Sequence, residues 1–250
     1  MKRLFFYIMA SAAVWFAACT VEGTYTGEIT PHNPEPDLYT MTLTVRGSGD
    51  KTISMAGTGT IEIDWGDGSA KEKPALSSTT EKNFTHKYTS ITDKNITITG
   101  ENIIFLKCFS NQLVDLDITK NPKLTELNCW GNDLIALNMT QNTALKKINC
   151  SFNKLTLLDV GKNIKLAELS CNNNALTALD VKNNTELYKL TISTNQFDAG
   201  SLDELFGTLH NKSTGGEQGK IIYIAKNPGT GSCHVNLATT KGWVVNSEIE

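Results

Sequence analysis

The sequence predicts a mainly β protein with a small N-terminal β-sandwich, a central solenoid of parallel strands, and a C-terminal cap formed by a helix and a strand. Three observations support this fold class. Apolar and polar residues alternate before residue 102, one pattern then recurs every 21 residues as far as residue 198, and the recurrence stops after it. Because a single short turn cannot bury its own core, the fixed period indicates stacked turns.

The first residues have the organisation of an export signal. Two basic residues precede an apolar stretch, residues 4–18, which ends in two alanines before Cys19. The short basic region and the limited apolar length predict a signal peptide over residues 1–18. The order resembles the lipobox of bacterial lipoproteins, which implies a lipid on Cys19 and an outer-membrane anchor. An ordinary signal peptide with a chance cysteine is the alternative. The polar, proline-containing residues 19–37 predict a flexible tether.

Residues 38–101 carry the alternation typical of β-strands. Short strands joined by glycine-containing turns predict a small antiparallel sandwich, which is expected to cover the open first turn of the solenoid. The strands are predicted around residues 41–45, 53–55, 61–65, 84–88 and 96–98.

One segment of this region resembles a known domain. Residues 63–69, with a His-x-Tyr motif at 86–88, resemble the polycystic-kidney-disease (PKD) domains of secreted bacterial proteins. Asp64 and Asp67 are close enough in sequence to ligate calcium, since carboxylates suit a hard cation. The favoured alternative is a tight turn, with Trp65 filling the core.

Two residue types define the repeat over residues 102–198. In each turn, apolar residues face inward from a short strand, and an asparagine at the corner uses its amide to satisfy backbone groups. We predict that the cysteines and the asparagines stack in two columns along the solenoid and have a structural role. The cysteines are Cys108, Cys129, Cys150 and Cys171, and the asparagines are Asn111, Asn132, Asn153, Asn174 and Asn195.

The cysteines lack the arrangement of a chemical site. Zinc sites use ligands paired about two to four residues apart, and thiols side by side on parallel strands are poorly oriented for disulfides. A buried cysteine packs as a small hydrophobe. We therefore predict reduced, inert thiols, with no metal and no cofactor.

The turns have the order L-x-x-L-x-C-x-x-N-x-L, which resembles a leucine-rich repeat. With the PKD-like segment before it, the chain resembles lipoproteins of Bacteroidetes-type bacteria and the cysteine-ladder internalins over residues 40–245. Those families are surface proteins tied to adhesion or ligand capture. The resemblance implies a cell-surface address and a binding role.

Residues 199–250 are predicted to form the cap. Ser201 and Glu204 have the spacing of a capping box, and the apolar residues that follow have helical spacing. Residues 221–224 predict a strand. A short helix and a final strand follow, in which Trp243 is expected to cover the last turn.

Composition and residue spacing argue against two functional classes. A net charge of −3 argues against binding a polyanion, so no nucleic-acid partner is expected. The four histidines are dispersed, and no Ser/His/Asp or Cys/His set is evident. The chain is therefore predicted to be non-catalytic. It is also expected to be a monomer.

Candidate ligand-binding residues are aromatic side chains predicted to lie on or beside the outward face of the strands, as is typical of recognition surfaces. For Phe105 and Phe109, packing against the sandwich is the alternative. Charged residues at one strand position alternate in sign, at Glu126, Lys147, Glu168 and Lys189. The aromatic candidates are Phe105, Phe109, Trp130, Phe152 and Tyr188.

Two functions remain open from the sequence. The first is a surface binding module for a host or bacterial surface protein or glycan. The second is a structural spacer or assembly subunit of a cell-envelope complex. Open aromatic residues would favour the first, and burial of those rings at the domain junction would favour the second.

Overall fold

A computed structural model describes residues 38–212 and 219–248. The predicted signal peptide (1–18), the lipid site at Cys19 and the tether (19–37) lie outside the described residues. Among the residues that are described, no helix is both long and apolar enough to cross a membrane.

The described residues form two short helices and one sheet. The N-terminal strands are β1 (Tyr39–Val45), β2 (Gly49–Asp64), β3 (Ala75–Tyr88), β4 (Lys94–Lys107) and β5 (Leu113–Asp117). The strands of the repeats are β6 (Glu126–Asn128), β7 (Lys147–Asn149), β8 (Glu168–Ser170) and β9 (Lys189–Thr191). The C-terminal elements are α1 (Ala199–Thr208), β10 (Lys220–Tyr223), α2 (Asn236–Thr239) and β11 (Trp243–Asn246).

A parallel ladder runs through β4 and then β6 to β11 in chain order. Equivalent residues pair directly, as Leu106 does with Leu127 and Leu127 with Ile148. These central side chains are buried, because alternate residues of a strand point to opposite faces and the inner face has no access to water. The predicted mainly β fold with a parallel-strand solenoid is confirmed.

The N-terminal region shares a strand with the solenoid. The first half of β4 pairs antiparallel with β1, while its last residues pair with β6. The expected boundary between residues 101 and 102 therefore falls inside β4. Strand β2 covers the other edge of β4, and β1 also pairs with β5 of the first turn. The likeness of this region to PKD domains stays a prediction.

Strand β2 is continuous, whereas the sequence predicted two separate strands there. Its pairing register shifts at Gly57, which allows the strand to bend without ending. Gly57 has φ 154°, and a Cβ at this position would lie 1.9 Å from the carbonyl oxygen of Asn102. Only glycine permits this close approach of two backbones.

The C-terminal region adds two strands to the ladder, because β10 pairs with β9 and β11 pairs with β10. Helix α1 begins earlier than the capping-box spacing indicated. Its N-cap is Asp198, whose Oδ1 accepts a hydrogen bond from the backbone N–H of Ser201 at 2.7 Å. Trp243 is buried and donates its indole N–H to the carbonyl oxygen of His210 at 3.0 Å.

One hydrophobic core extends from β1 to β11. Met41 and Ile98 of the N-terminal strands belong to the same cluster as the inward leucines of the repeats. The N-terminal strands and the solenoid therefore bury their apolar residues together.

Candidate functional site

Each turn of the solenoid has a residue in the left-handed backbone conformation at its corner. This residue comes directly before the asparagine of the repeat, which we call the ladder asparagine. This conformation is uncommon for residues other than glycine and costs about 1–2 kcal/mol for an ordinary residue. The repeated corner fixes where neighbouring side chains leave the edge of the sheet. The corner residues, all with φ between 53° and 67°, are Ser110, Gly131, Phe152, Asn173, Thr194 and Lys226.

The ladder asparagines connect one turn to the next. The Nδ2 of Asn153 donates to the carbonyl oxygens of Cys129 and Cys150, both at 3.0 Å. Its Oδ1 accepts from the backbone N–H of Leu134 at 3.0 Å. Asn111 exchanges two hydrogen bonds with the backbone of Thr52, which attaches the first turn to β2. These bonds satisfy backbone groups that the short strands leave unpaired.

A sixth ladder asparagine, Asn227, was not predicted. Its Nδ2 donates to the carbonyl oxygens of Ile192 and Ile224, at 3.1 and 2.9 Å. Its Oδ1 accepts from the backbone of Asn195 and Phe197. The signal was the spacing from Ile224 to Asn227, which repeats the spacing from cysteine to asparagine in earlier turns.

Three aromatic side chains are exposed at consecutive corners of the solenoid. The rings of Trp130 and Phe152 are in contact, with centroids 5.2 Å apart and planes inclined at 56°. Trp130 is 37% exposed and Phe152 is 46% exposed. Phe109, one turn before Trp130 at the equivalent position, is also 46% exposed. We refer to Phe109, Trp130 and Phe152 as the aromatic patch.

Phe105 does not belong to this patch, because it is buried although its strand position is on the outward face. It is only 8% exposed. Phe105 pairs with Ala56 of β2 on one side and with Glu126 of β6 on the other. Because β2 extends the sheet beyond the first turn, neighbouring strands flank Phe105 on both sides.

Tyr188 is also separate from the patch. It precedes β9, whereas the patch residues follow their strands, and it lies two turns beyond Phe152. Its hydroxyl donates to Oε1 of Glu168, and this hydrogen bond raises the pKa of Tyr188. Tyr188 is half-buried and already has a partner.

The charged residues Glu126, Lys147, Glu168 and Lys189 lie in register across β6 to β9. An ion pair forms between Lys147 and Glu168, with Nζ 2.7 Å from Oε1. Partial burial raises the pKa of Glu168, and hydrogen bonds from Lys147 and Tyr188 outweigh this and lower it. Lys189 instead places its Nζ 5.7 Å from the ring centre of Tyr223. The central strand face thus satisfies much of its own charge.

A hollow of about 400 Å³ adjoins Phe152. Its volume falls within the range of ligand sites. Asn172 and Ser193, which are smaller than tryptophan, line it at the positions equivalent to Trp130 two and three turns later. Uncharged polar side chains line much of it, namely Asn172, Asn173, Thr191, Ser193 and Thr194.

Asp64 and Asp67 do not fit a calcium site. Asp67 Oδ2 lies 2.7 Å from Nε2 of His86, and its Oδ1 accepts from the backbone N–H of Ser69. Hydrogen bonds from Ser69 and His86 hold the pKa of Asp67 well below its usual range. Asp64 lies 3.5 Å from Nζ of Lys71. Both carboxylates are already occupied, and the described residues contain no group of three or more potential metal-ligating side chains.

The ladder cysteines are fully buried, and no described cysteine forms a disulfide. Burial raises the pKa of the Cys108 and Cys150 thiols to about 12. It also raises the pKa of Cys129 and Cys171 well above the usual value. These groups stay protonated at neutral pH, whereas the thiolate is the form that attacks substrates or binds metals.

Comparisons with known proteins give limited information. No protein-family model and no curated protein matches the chain. An LRR protein of Leptospira interrogans matches with 27% identity over 37% of this chain and 26% of that chain, with a TM-score of 0.33. The functional domain of InlJ from Listeria monocytogenes, which includes a cysteine ladder, matches with 21% identity, coverage of 60% and 50%, and a TM-score of 0.28.

Internalin C2 from Listeria monocytogenes matches with 16% identity over 50% of this chain and 62% of that chain, with a TM-score of 0.34. The chain therefore spans less than two thirds of the length of each of these structures. The TM-scores are too low for these matches to bear on the role of the chain.

Proposed function

We propose that this protein is a non-catalytic binding module, anchored by lipid to the bacterial outer membrane, that captures a surface protein or glycan through the aromatic patch. The contact between the exposed rings of Trp130 and Phe152 is the observation that carries the proposal. Large aromatic side chains on a regular scaffold are enriched where proteins recognise partners.

The patch is not needed to complete the core. Leu127 and Cys129 already fill the inner side of the turn that carries Trp130. Because the corner backbone is fixed by Asn132 and Asn153, little conformational entropy remains to be lost when a ligand binds. A rigid aromatic surface next to a polar hollow suits a ligand with both apolar and hydrogen-bonding groups.

The lipid anchor is a separate part of the proposal. It is supported by the basic, apolar and Ala-Ala-Cys order that ends at Cys19. Attachment at this position would leave residues 20–37 as the link to the folded region.

A structural spacer is the second candidate function. Burial of Phe105 between β2 and β6 favours it, because that ring serves the junction rather than a ligand. The exposure of Phe109, Trp130 and Phe152 favours capture. We therefore rank the binding module first.

An array of surface glycans and proteins, probed with the soluble chain from residue 20 onward, tests the proposal. We expect at least one saturable ligand that is lost with Trp130→Ala and retained with Ile164→Ala. Ile164 is a matched control because it is an exposed apolar residue outside the patch. Ligands retained equally by both variants would contradict a role for the patch.

A further inference from the structure

A second surface of the solenoid exposes large apolar side chains. Leu157 is 73% exposed and Ile135 is 69% exposed. Both lie in the segment that follows the ladder asparagine of their turn, and thus on a different wall from the strands. Clustered apolar exposure of this kind marks interaction sites on soluble proteins.

Two hollows flank Leu157. The first, of about 400 Å³, is lined by Ile135, Ala136 and Leu157 among others. The second, of about 540 Å³, lies between Leu157, Ala178 and Leu205 of helix α1. Ala136 and Ala178 occupy the position of Leu157 in the turns before and after it. Leu157 is therefore a ridge between two depressions, each with an alanine at the equivalent position.

The rim of these hollows is acidic. Asp159 lines both hollows, and Asp180 and Glu204 line the second. No lysine or arginine is among the residues that line either hollow. Asp180 pairs with Lys182, whereas Asp159 and Glu204 take part in no ion pair of the described residues. This charge pattern complements a cationic partner.

The separation of the hollows matches a helical spacing. Ala136 and Ala178 are two turns apart, which corresponds to about 10 Å for strands stacked about 4.8 Å apart. Seven residues of an α-helix advance about 10.5 Å and return to nearly the same face. Two apolar side chains seven residues apart on one helix can therefore enter the two hollows on either side of Leu157.

We propose that this surface, the back-wall groove, binds an amphipathic helix of a partner protein. The helix carries two large apolar residues seven positions apart, and lysine or arginine beside them for Asp159 and Glu204. Docking of an apolar helix face into such a groove is a common recognition mode. The groove shares no residue with the aromatic patch, so the two proposals can be tested independently of each other.

The test uses the full chain and a synthetic, fluorescein-labelled helical peptide of about 18 residues, about five turns. The peptide has two leucines seven apart, flanking lysines, and alanine and glutamine elsewhere. We expect saturable binding by fluorescence anisotropy, with a dissociation constant on the order of 10 μM that rises with salt. A control peptide of the same composition, with its leucines five apart, is expected to bind at least about tenfold more weakly.

Variants of the chain locate the binding. Asp159→Lys reverses an exposed rim charge and is expected to weaken peptide binding by about fivefold or more. Ala178→Trp fills the second hollow and is expected to abolish binding, with circular dichroism as the check on folding. Ile164→Ala is the control and is expected to leave binding unchanged. If Ala178→Trp does not fold, Asp159→Lys alone decides the test.

Three results would overturn the proposal. These are equal binding of the two peptides, unchanged binding by Asp159→Lys, and the absence of saturable binding in the wild-type chain. Concentration-dependent dimerisation that Asp159→Lys removes, without peptide binding, would assign the groove to a second copy of the chain instead.

Discussion

The amide nitrogen of Asn153 donates a 3.0 Å hydrogen bond to the carbonyl oxygen of Cys129, which lies 24 residues earlier in the chain. The same side chain also bonds backbone groups of Cys150, Ser151 and Leu134, so one asparagine holds four backbone groups in two turns. This arrangement joins neighbouring turns and fixes the corner where Phe152 is exposed.

Replacement of Asn153 by alanine is expected to lower the free energy of unfolding by about 3 kcal/mol. It leaves buried backbone groups without partners, and each such group costs about 1–3 kcal/mol. Chemical denaturation followed by circular dichroism measures the change. Asn138→Ala is the control, because Asn138 is exposed and bonds only its own turn. Equal losses in the two variants would contradict a special role for the ladder position.

Gly131→Ala is expected to destabilise the protein by about 1–2 kcal/mol. Gly131 has φ 67°, and an added Cβ would lie 3.2 Å from Oγ of Ser110. Gly207→Ala, in helix α1 with nothing within 4 Å of the new Cβ, is expected to have the opposite sign and stabilise by about 0.5–1 kcal/mol. Thermal unfolding of both variants checks the pair, and destabilisation by Gly207→Ala would conflict with its assigned conformation.

The ladder thiols are expected to react slowly with a thiol reagent in the native protein and rapidly after denaturation. Burial raises the pKa of Cys108 and Cys150 to about 12, from an ordinary value of 9.0. Because the unfolded state loses these protons first, stability is full below about pH 9 and falls as the pH rises from about 9 towards 12. An intact mass showing disulfides among the ladder cysteines, or stability that increases over this pH range, would contradict this expectation.

Cys19→Ser is expected to release the protein from membranes, because serine cannot carry the thioether-linked lipid that the lipobox implies. Detergent phase partitioning of cell extracts measures the release. Thr20→Ser, next to the predicted attachment site, is the control and is expected to stay in the detergent phase. Quantitative partitioning of Cys19→Ser into detergent would show that another feature anchors the chain.

The regular part of the fold is predictable from the sequence, because each turn repeats the same inward residues at one interval. The 21-residue period does not identify Asn227, because helix α1 lengthens the turn that precedes this residue. Asn227 therefore follows Asn195 by 32 residues instead of 21. Its role depends on β10 pairing with β9, which the period alone does not reveal.

Long-range pairing explains the other differences. The burial of Phe105 follows from β2 lying beside β4, a contact between residues about 50 positions apart in the chain that no local pattern encodes. The left-handed corners have two sequence signals, Gly131 and Asn173, because glycine and asparagine tolerate this conformation, whereas the other corner residues give none. The contact between Trp130 and Phe152 joins different positions of neighbouring turns, so the sequence groups these residues as candidates without showing that their rings touch.

Ligand capture by the Trp130→Ala variant, measured together with its thermal unfolding, decides whether the aromatic patch is a recognition surface. We expect capture to weaken by more than about 1 kcal/mol while the melting temperature stays nearly unchanged. Leu127→Ala, at a buried position of the same turn, is expected to cost about 2–5 kcal/mol of stability instead. A large loss of stability in Trp130→Ala with unchanged capture would rule out a recognition role and make the ring part of the scaffold.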